Sequence, residues 1–394
     1  MRTTLSLITP SDQRVAVSLF YRYAHLEQLE EIIAAINGIC RRLQLLGRCL
    51  VSFEGVNGTM AGSPSALFAF ESIMRFMDPS FVHMDIKYSY TNSLPFKTLS
   101  VRIVDELIAP GSRKGAIIKD HVKFDESYGG LDGTGFHLIP RDFHSQVLQL
   151  LNDDSQGLLL DIRNLFESDI GRFQGSKSLD TYYYSESWDA IDSRVNQFID
   201  DHGTKPPKIL MYCTGGIRCE KASAYLRAKG FDGIYQLQGG IHRYLDEFGD
   251  SSESLFKGKN YVFDSRMAVS NNSENHANKS SEIIGTCIDC HSPYDSYSID
   301  RSCTVCRYPV LVCGTCFEMS TRKEFYCRRH YYLKDIYFSD LRGFTLSELI
   351  QQDSKLGELE ATFRGQKFKS RRHMLQMQRL RVSEIIRSLD CISA

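Results

Sequence analysis

The sequence predicts a multidomain chain of mixed α/β and α+β class. An N-terminal sandwich of the split βαβ, ferredoxin-like kind precedes a parallel-sheet α/β domain, and a Cys-rich module with a basic helical tail closes the chain. Three observations carry this expectation. The pattern up to residue 107 runs strand, helix, two strands, helix, two strands; residues 137–255 alternate strands with helices; and seven of the twelve cysteines fall between Cys287 and Cys327. A chain of 394 residues has room for two or three such domains, each with its own core.

Composition narrows the function classes. With 42% hydrophobic and 24% charged residues and a formal charge of -1, the chain has no global attraction for polyanions, so any nucleic-acid site must be a local patch. The N-terminal stretch lacks a long apolar core before a small-residue cleavage site, and no window reaches the roughly 18 apolar residues of a membrane span. An unprocessed, cytoplasmic protein with no membrane partner is expected. In that reducing compartment cysteines at this density point to metal rather than to disulfides.

In the first domain, "VAVSLFYRY" reads as a strand and "LEQLEEIIAAINGICRRLQLLG" as a helix with apolar residues three and four apart. "CLVSFEG" and "GTMAG" read as short strands around a turn holding Gly55, Asn57 and Gly58. "SPSALFAFESIMRFM" reads as a helix with Ser63 as N-cap, and "HMDIKYSY" and "LSVRIVDEL" as strands. Residues 1–107 are therefore assigned to this domain and 108–136, rich in glycine and without period, to a linker or arm. In residues 137–255, "IPRDFHSQVLQLLN" is a helix, "GLLLDIRN" a buried strand, "WDAIDSRVNQFIDDHG" a helix, "PKILMYC" a strand, "CEKASAYLRAKG" a helix and "IYQLQGG" a strand. Residues 256–282, with the polar run "VSNNSENHANKSSE", are expected to be a flexible linker.

The stretch "MYCTGGIRCEK" carries the chemistry. In open parallel sheets the reactive site lies beyond the carboxyl ends of the strands, and Cys213 sits there, before a helix. Loop N–H groups, the helix N-terminus and nearby Arg218 would all favour thiolate over thiol. Gly215 and Gly216 let backbone approach a bound group. The bland alternative is a small buried strand-end thiol beside an ordinary turn. "LLLDIRN" places Asp161 and Arg163 at the end of a neighbouring strand, as supporting residues. Cys219 is either a resolving thiol or a packed helix-start residue.

"LLLDIRNLFESDIGRFQGS", "MYCTGGIRCEKASAYLRAKGF" and "YQLQGGI" together resemble a rhodanese-like domain. With "FEGVNGTMAG" and "PFKTLSVRIVDELIAPG" upstream, the chain resembles, over residues 15–306, the bacterial tRNA uridine hydroxylase family. The resemblance implies oxygen-dependent conversion of the wobble uridine (U34) of tRNA to 5-hydroxyuridine, with molecular oxygen as co-substrate. It maps the active-site cysteine onto Cys213 and the loop onto Thr214, Gly215, Gly216, Ile217 and Arg218. Four residues separate Cys213 from Arg218, as in sulfur-handling rhodanese loops; related phosphatases have five and a wider cradle. No organic cofactor is evident.

Beyond residue 283 stand four pairs, Cys287–Cys290, Cys303–Cys306, Cys313–Cys316 and Cys327–His330, each with two residues between. Eight paired ligands suit two tetrahedral, structural Zn2+ sites in a module of residues 283–335. Spacing leaves open whether the pairs combine in sequence or interleaved, and His291 is an alternative ligand. The tail, residues 336–394, holds eight Lys or Arg against one Glu between Arg364 and Arg387, on a helix with Leu375, Leu380, Ile385 and Leu389. Arg371, Arg372, Arg379 and Arg381 are candidate weak RNA contacts; a solvated amphipathic helix is the plain alternative. Two further function classes stay in view. One is a persulfide sulfurtransferase, the other a zinc-dependent interaction protein. The sequence leaves the oligomeric state undetermined.

Overall fold

A computed structural model describes residues 14–109, 124–125, 130–249, 251–269 and 282–393. The expectations for the extreme N-terminus, for most of the arm between residues 108 and 136 and for most of the polar run after residue 269 fall outside them. The chain forms two compact units, residues 1–285 and 286–394.

The first unit opens with β1 (Val15–Tyr23), α1 (Leu29–Arg42), β2 (Leu46–Ser52), β3 (Gly55–Gly62), α2 (Pro64–Met77), β4 (Asp85–Thr91) and β5 (Leu99–Ile103). Sheet order β4-β1-β3-β2-β5 is the split βαβ arrangement with a fifth strand added parallel to β2. Strand alternation divides the chemistry. Ala16, Phe20, Cys49, Val51, Val56 and Met60 pack under the two helices. Leu19, Tyr21, Arg48, Leu50, Asn57 and Thr59 lie on the other face, lining a cavity. In α1, Glu30 and Glu31 in the first turn and Arg41 and Arg42 in the last complement the helix dipole. Ser63 caps α2, its Oγ accepting from the Ala66 N–H at 3.2 Å.

Two local expectations are corrected. The helix stops at Arg42, because Gln44 turns into the left-handed region (φ 54°) and Leu46 already pairs in β2. The Gly-Val-Asn-Gly segment, residues 55–58, is strand, not turn. Asn57 pairs with Tyr21 and Leu50, and Gly58 is needed because a β-carbon there would stand 2.5 Å from the Phe20 ring. The turn is at Phe53 and Glu54.

The second sheet is wholly parallel, in the order Lys177–Ser178, Leu158–Asp161, Ile209–Tyr212, Ile234–Leu237, Phe136–Leu138. Strands Leu158–Asp161 and Ile209–Tyr212 are fully buried, with helices Ser187–His202 and Ile217–Ala228 in one core cluster and Pro140–Asn152 and Gly240–Phe248 in another. Two segments outside the expected boundary join this fold. Phe136–Leu138, at the end of the stretch read as an arm, is the edge strand, and Phe256–Gly258, at the start of the stretch read as linker, pairs with Gly171–Phe173. No described helix is long and apolar enough to cross a membrane.

Lys221 fastens the two sheets' domains. Its ammonium lies 2.9 Å from Glu54 and 3.2 Å from Glu106 and donates to the Ile108 carbonyl at 2.8 Å, with the side chain 4% exposed. Removing the cation leaves two carboxylates facing each other in a partly desolvated seam. Lys221→Met is expected to cost about 2–3 kcal/mol, somewhat less than the 3–5 of a fully buried pair. Urea denaturation of the full chain checks this, and a midpoint equal to wild type refutes it.

Candidate active site

The strand Ile209–Tyr212 ends one residue before Cys213, and the helix Ile217–Ala228 begins four residues after it. The loop between them is held from below by the next strand-to-helix turn. The Ile241 N–H donates to the Cys213 carbonyl and the His242 N–H to that of Thr214. Gly240 (φ +66°) has no room for a side chain, since a β-carbon would come within 2.6–2.8 Å of Cys213, Thr214 and Gly215 backbone.

Cys213 is fully buried, and its Sγ accepts from the Gly216 N–H at 3.1 Å. Burial by itself would push this thiol up. A hydrogen bond from the Cys219 thiol, the charge of Arg218 and the N–H groups of Arg218 and Gly216 outweigh it, bringing the pKa down to about 5. Cys219 is pushed up by burial and by the neighbouring sulfur, so it stays protonated and donates. Cys219 packs in the core, as the plainer expectation had it, and hydrogen-bonds the reactive sulfur.

Arg218 needs its own anchor. Its guanidinium makes a two-pronged pair with Glu167, at 2.6 and 2.7 Å, and also donates to Thr214 Oγ1, which donates on to Glu167. Burial would raise the Glu167 pKa, but Arg218 and then Arg163 hold it below the usual carboxylate range. Asp161 and Arg163, expected beside the site, lie one layer beneath it. Arg163 pairs with Asp161 at 2.6 and 2.8 Å and donates to the carbonyls of Glu167 and Gly171, fixing the turn that carries Glu167. Tyr212 donates to the same Asp161. Sequence reading missed Glu167. It stands 46 residues before Cys213, inside the string "FESDIGRF", with nothing to mark its partner.

The outer face of the N-terminal sheet covers the loop. Lys87 donates to the Gly215 carbonyl at 2.7 Å, and Tyr23 donates to that of Ile217 at 3.4 Å. Tyr21 donates to Glu220, which also meets His137 and Gln236. Gly215 and Gly216 allow this approach: β-carbons would lie 2.8 Å from Leu19 and 3.0 Å from the Tyr21 hydroxyl, and Gly216 has φ +105°. A cavity of about 440 Å³ remains between sheet and loop, with Cys213, Thr214, Ile217 and Arg218 on one side and Arg48, Arg102, Thr59 and Ser100 on the other. Such a site has the room and the hydrogen-bond donors for an oxyanion, a persulfide on Cys213 or a ring-sized ligand.

In the second unit the ligand pairs interleave. Cys287, Cys290, Cys313 and Cys316 form one group, and Cys303, Cys306, Cys327 and His330 the other, with all ligand atoms of a group within 4.8 Å of one another. His291 stands outside both. Tetrahedral zinc with Zn–S near 2.3 Å and Zn–N near 2.05 Å requires ligand–ligand edges of roughly 3.5–3.8 Å. Three observed edges fit, Cys290–Cys313 at 3.6, Cys303–His330 at 3.6 and Cys306–Cys327 at 3.8 Å, and the fourth, Cys327–His330, is shorter at 3.3 Å. The first two pairs sit in matching tight turns, in which the His291 N–H donates to Cys287 O and the Arg307 N–H to Cys303 O, with His291 and Arg307 in the left-handed region. Both groups can hold a metal ion.

Helix Leu346–Thr362, which the sequence reading did not single out, pairs with helix Lys369–Ser393. Leu375 is buried in their common core and Ile385 and Leu389 pack against it, but Leu380 is 52% exposed. The four tail arginines have internal contacts. Arg379 pairs with Asp353 and Glu360, Arg372 donates to the carbonyls of Phe363 and Gly365, Arg381 donates to that of Ser339, and Arg371 lies over Tyr332 and Phe363.

Comparison with known proteins adds three domain matches: a UPF0176 acylphosphatase-like domain over residues 15–107, a rhodanese-like domain over 144–247 and a rhodanese C-terminal region over 257–330. A tRNA uridine(34) hydroxylase of Rhodococcus erythropolis is 35% identical over 71% of this chain and 90% of its own length. One from Corynebacterium efficiens is 32% identical over 76% and 88%. The rhodanese-like domain-containing protein 6 of Arabidopsis thaliana is 35% identical over 81% of this chain, a match spanning 54% of that protein.

Two outcomes are expected. Alkylation of Cys213 by a small haloacetamide is half-maximal near pH 5 rather than near the 8.5 of a free thiol. Because the folded-state pKa lies below the unfolded one, the stability this ionisation contributes is full above about pH 8.5 and lost as pH falls through 5. A profile centred near 8.5, read by mass spectrometry of the Cys213 peptide, would show an ordinary thiol. Both groups can hold a metal ion, and a chelator added to the purified chain is expected to unfold the second unit, since a structural metal such as zinc contributes on the order of 10 kcal/mol; unchanged circular dichroism after chelation would contradict that.

Proposed function

The chain belongs to the tRNA uridine(34) hydroxylase family, and on that premise we propose that it converts the wobble uridine of tRNA to 5-hydroxyuridine in the cytoplasm, taking the oxygen from O2. The observation that carries the reading is the ionised sulfur of Cys213 at the floor of a cavity large enough for a nucleoside. In this mechanism the thiolate adds to C6 of the uracil. The C5–C6 π electrons move toward C5 and the O4 carbonyl, and C5 attacks one oxygen of a hydroperoxide, the species formed when an external two-electron donor reduces O2; the O–O bond breaks and the other oxygen leaves as water. After the C5–O bond forms, the C5 proton leaves and the C6–S bond breaks, restoring the ring and the thiolate. Arg218 and the Gly216 N–H hold the sulfur's charge before addition and after release.

The same unit supports a second reading. The four-residue spacing from Cys213 to Arg218 and the hydrogen bond from Cys219 equally suit a persulfide carried on Cys213 and passed to an acceptor. In both readings Zn2+ is the proposed ion in the two groups of the second unit, with a structural role, because protein fills all four positions of each. The four tail arginines are proposed weak tRNA contacts, and their neutralisation would also loosen the helix pair they brace.

Nucleoside mass spectrometry of tRNA from cells lacking the gene tests the first reading. Complementation with wild type is expected to restore 5-hydroxyuridine and Cys213→Ala to leave it below a hundredth of that level. Restoration by Cys213→Ala would defeat the thiolate mechanism, while thiocyanate production from thiosulfate and cyanide without any 5-hydroxyuridine would favour sulfur transfer.

A further inference from the structure

The cavity has two walls, and the thiolate chemistry uses one. The opposite wall is the outer face of the N-terminal sheet. On it Arg48 pairs in register with Ser100, and Arg102 with Leu50, two residues further along the same pair of parallel strands. Side chains two apart share a face, so both guanidiniums line the same cavity. Both residues are exposed, and neither makes a hydrogen bond or ion pair with any described residue. Among the described residues no carboxylate lines the cavity, whose third cation, Arg218, is already matched by Glu167. Two unmatched positive charges facing a cavity in a chain of net charge -1 are a local anion site.

The other lining groups say which anion. Phe263, 54% exposed, and Tyr184 present aromatic surface beside Cys213, and Thr59 and Ser100 carry hydroxyls next to the arginines. A thiosulfate ion needs neither aromatic faces nor about 440 Å³. A nucleotide in an unpaired loop needs both: a ring surface for the base and guanidiniums for the backbone phosphates. We propose that Arg48 and Arg102 hold the phosphates flanking the target uridine, while Tyr184 and Phe263 receive its base and present it to Cys213. The acylphosphatase-like domain is then half of the substrate site rather than an appendage to a rhodanese domain. This inference rests on the reading of the chain as a tRNA-modifying enzyme.

Titration of full-length, metal-loaded protein with a fluorescent anticodon stem-loop bearing uridine at the wobble position, across a salt series, tests it. The double variant Arg48→Gln/Arg102→Gln is expected to weaken binding about tenfold and to reduce the slope of log K against log salt by about 1.4, roughly 0.7 for each single-strand phosphate no longer neutralised. Arg48→Lys/Arg102→Lys, which keeps the charges, should retain most of the slope. Arg41→Gln/Arg42→Gln, on the helix under the opposite face, should change neither quantity. The rate of Cys213 alkylation reports that each variant keeps the folded site.

A double glutamine variant with wild-type affinity and slope overturns the assignment, as does equal weakening in the lysine and glutamine variants. If wild type makes 5-hydroxyuridine in cells while the glutamine variant binds normally, only this inference falls. If wild type neither binds the stem-loop nor makes 5-hydroxyuridine, the functional reading falls with it.

Discussion

Everything at the reactive centre depends on keeping an anion on a sulfur that has no contact with bulk water. Burial alone would favour the neutral thiol, so compensation must come from fixed dipoles and charges nearby. The fold supplies it as an alternating series: the Cys213 thiolate faces Arg218, Arg218 faces Glu167, Glu167 lies near Arg163, and Arg163 is locked on Asp161. Each charge would be costly alone, and each is tolerated because the next is already in place. The series runs from the cavity into the parallel sheet, which makes the rigidity of two adjacent strand ends a condition for the chemistry.

The two glycines of the loop have a second task beyond freeing the backbone around sulfur. With no side chains of their own they leave room for Leu19 and Tyr21, so the N-terminal sheet packs closely on the loop. Lys87 and Tyr23 then bind loop carbonyls, and Lys221 secures the seam further along the helix. Reactive sulfur and cationic wall thereby face each other across one cavity that opens to solvent on the side of Arg48 and Arg102.

The second unit follows a different logic. Its ligand groups draw on segments up to 29 residues apart, Cys287 to Cys316, and the interleaving ties the two groups to each other. A short chain with a small core gains order from such crossed links. The helix pair that follows buries Leu349, Leu356, Leu375 and Val382 and engages four arginines that look free in the sequence.

What the sequence by itself determined is local or periodic. Strand and helix succession, the Ser63 cap, the thiol at a strand end before a helix and the two-residue ligand spacings all depend on neighbours within a few positions, where spacing and geometry are tightly linked. Tertiary structure alone decided what depends on distant residues meeting. It joined Glu167 to Arg218 across 51 positions, interleaved the ligand pairs, and turned the Gly-Val-Asn-Gly segment into strand because its partners in β1 and β2 claimed it. It also set Arg48 and Arg102 opposite Cys213. Strand alternation specifies that two side chains share a face, but only the packing of one domain on another specifies what that face looks at.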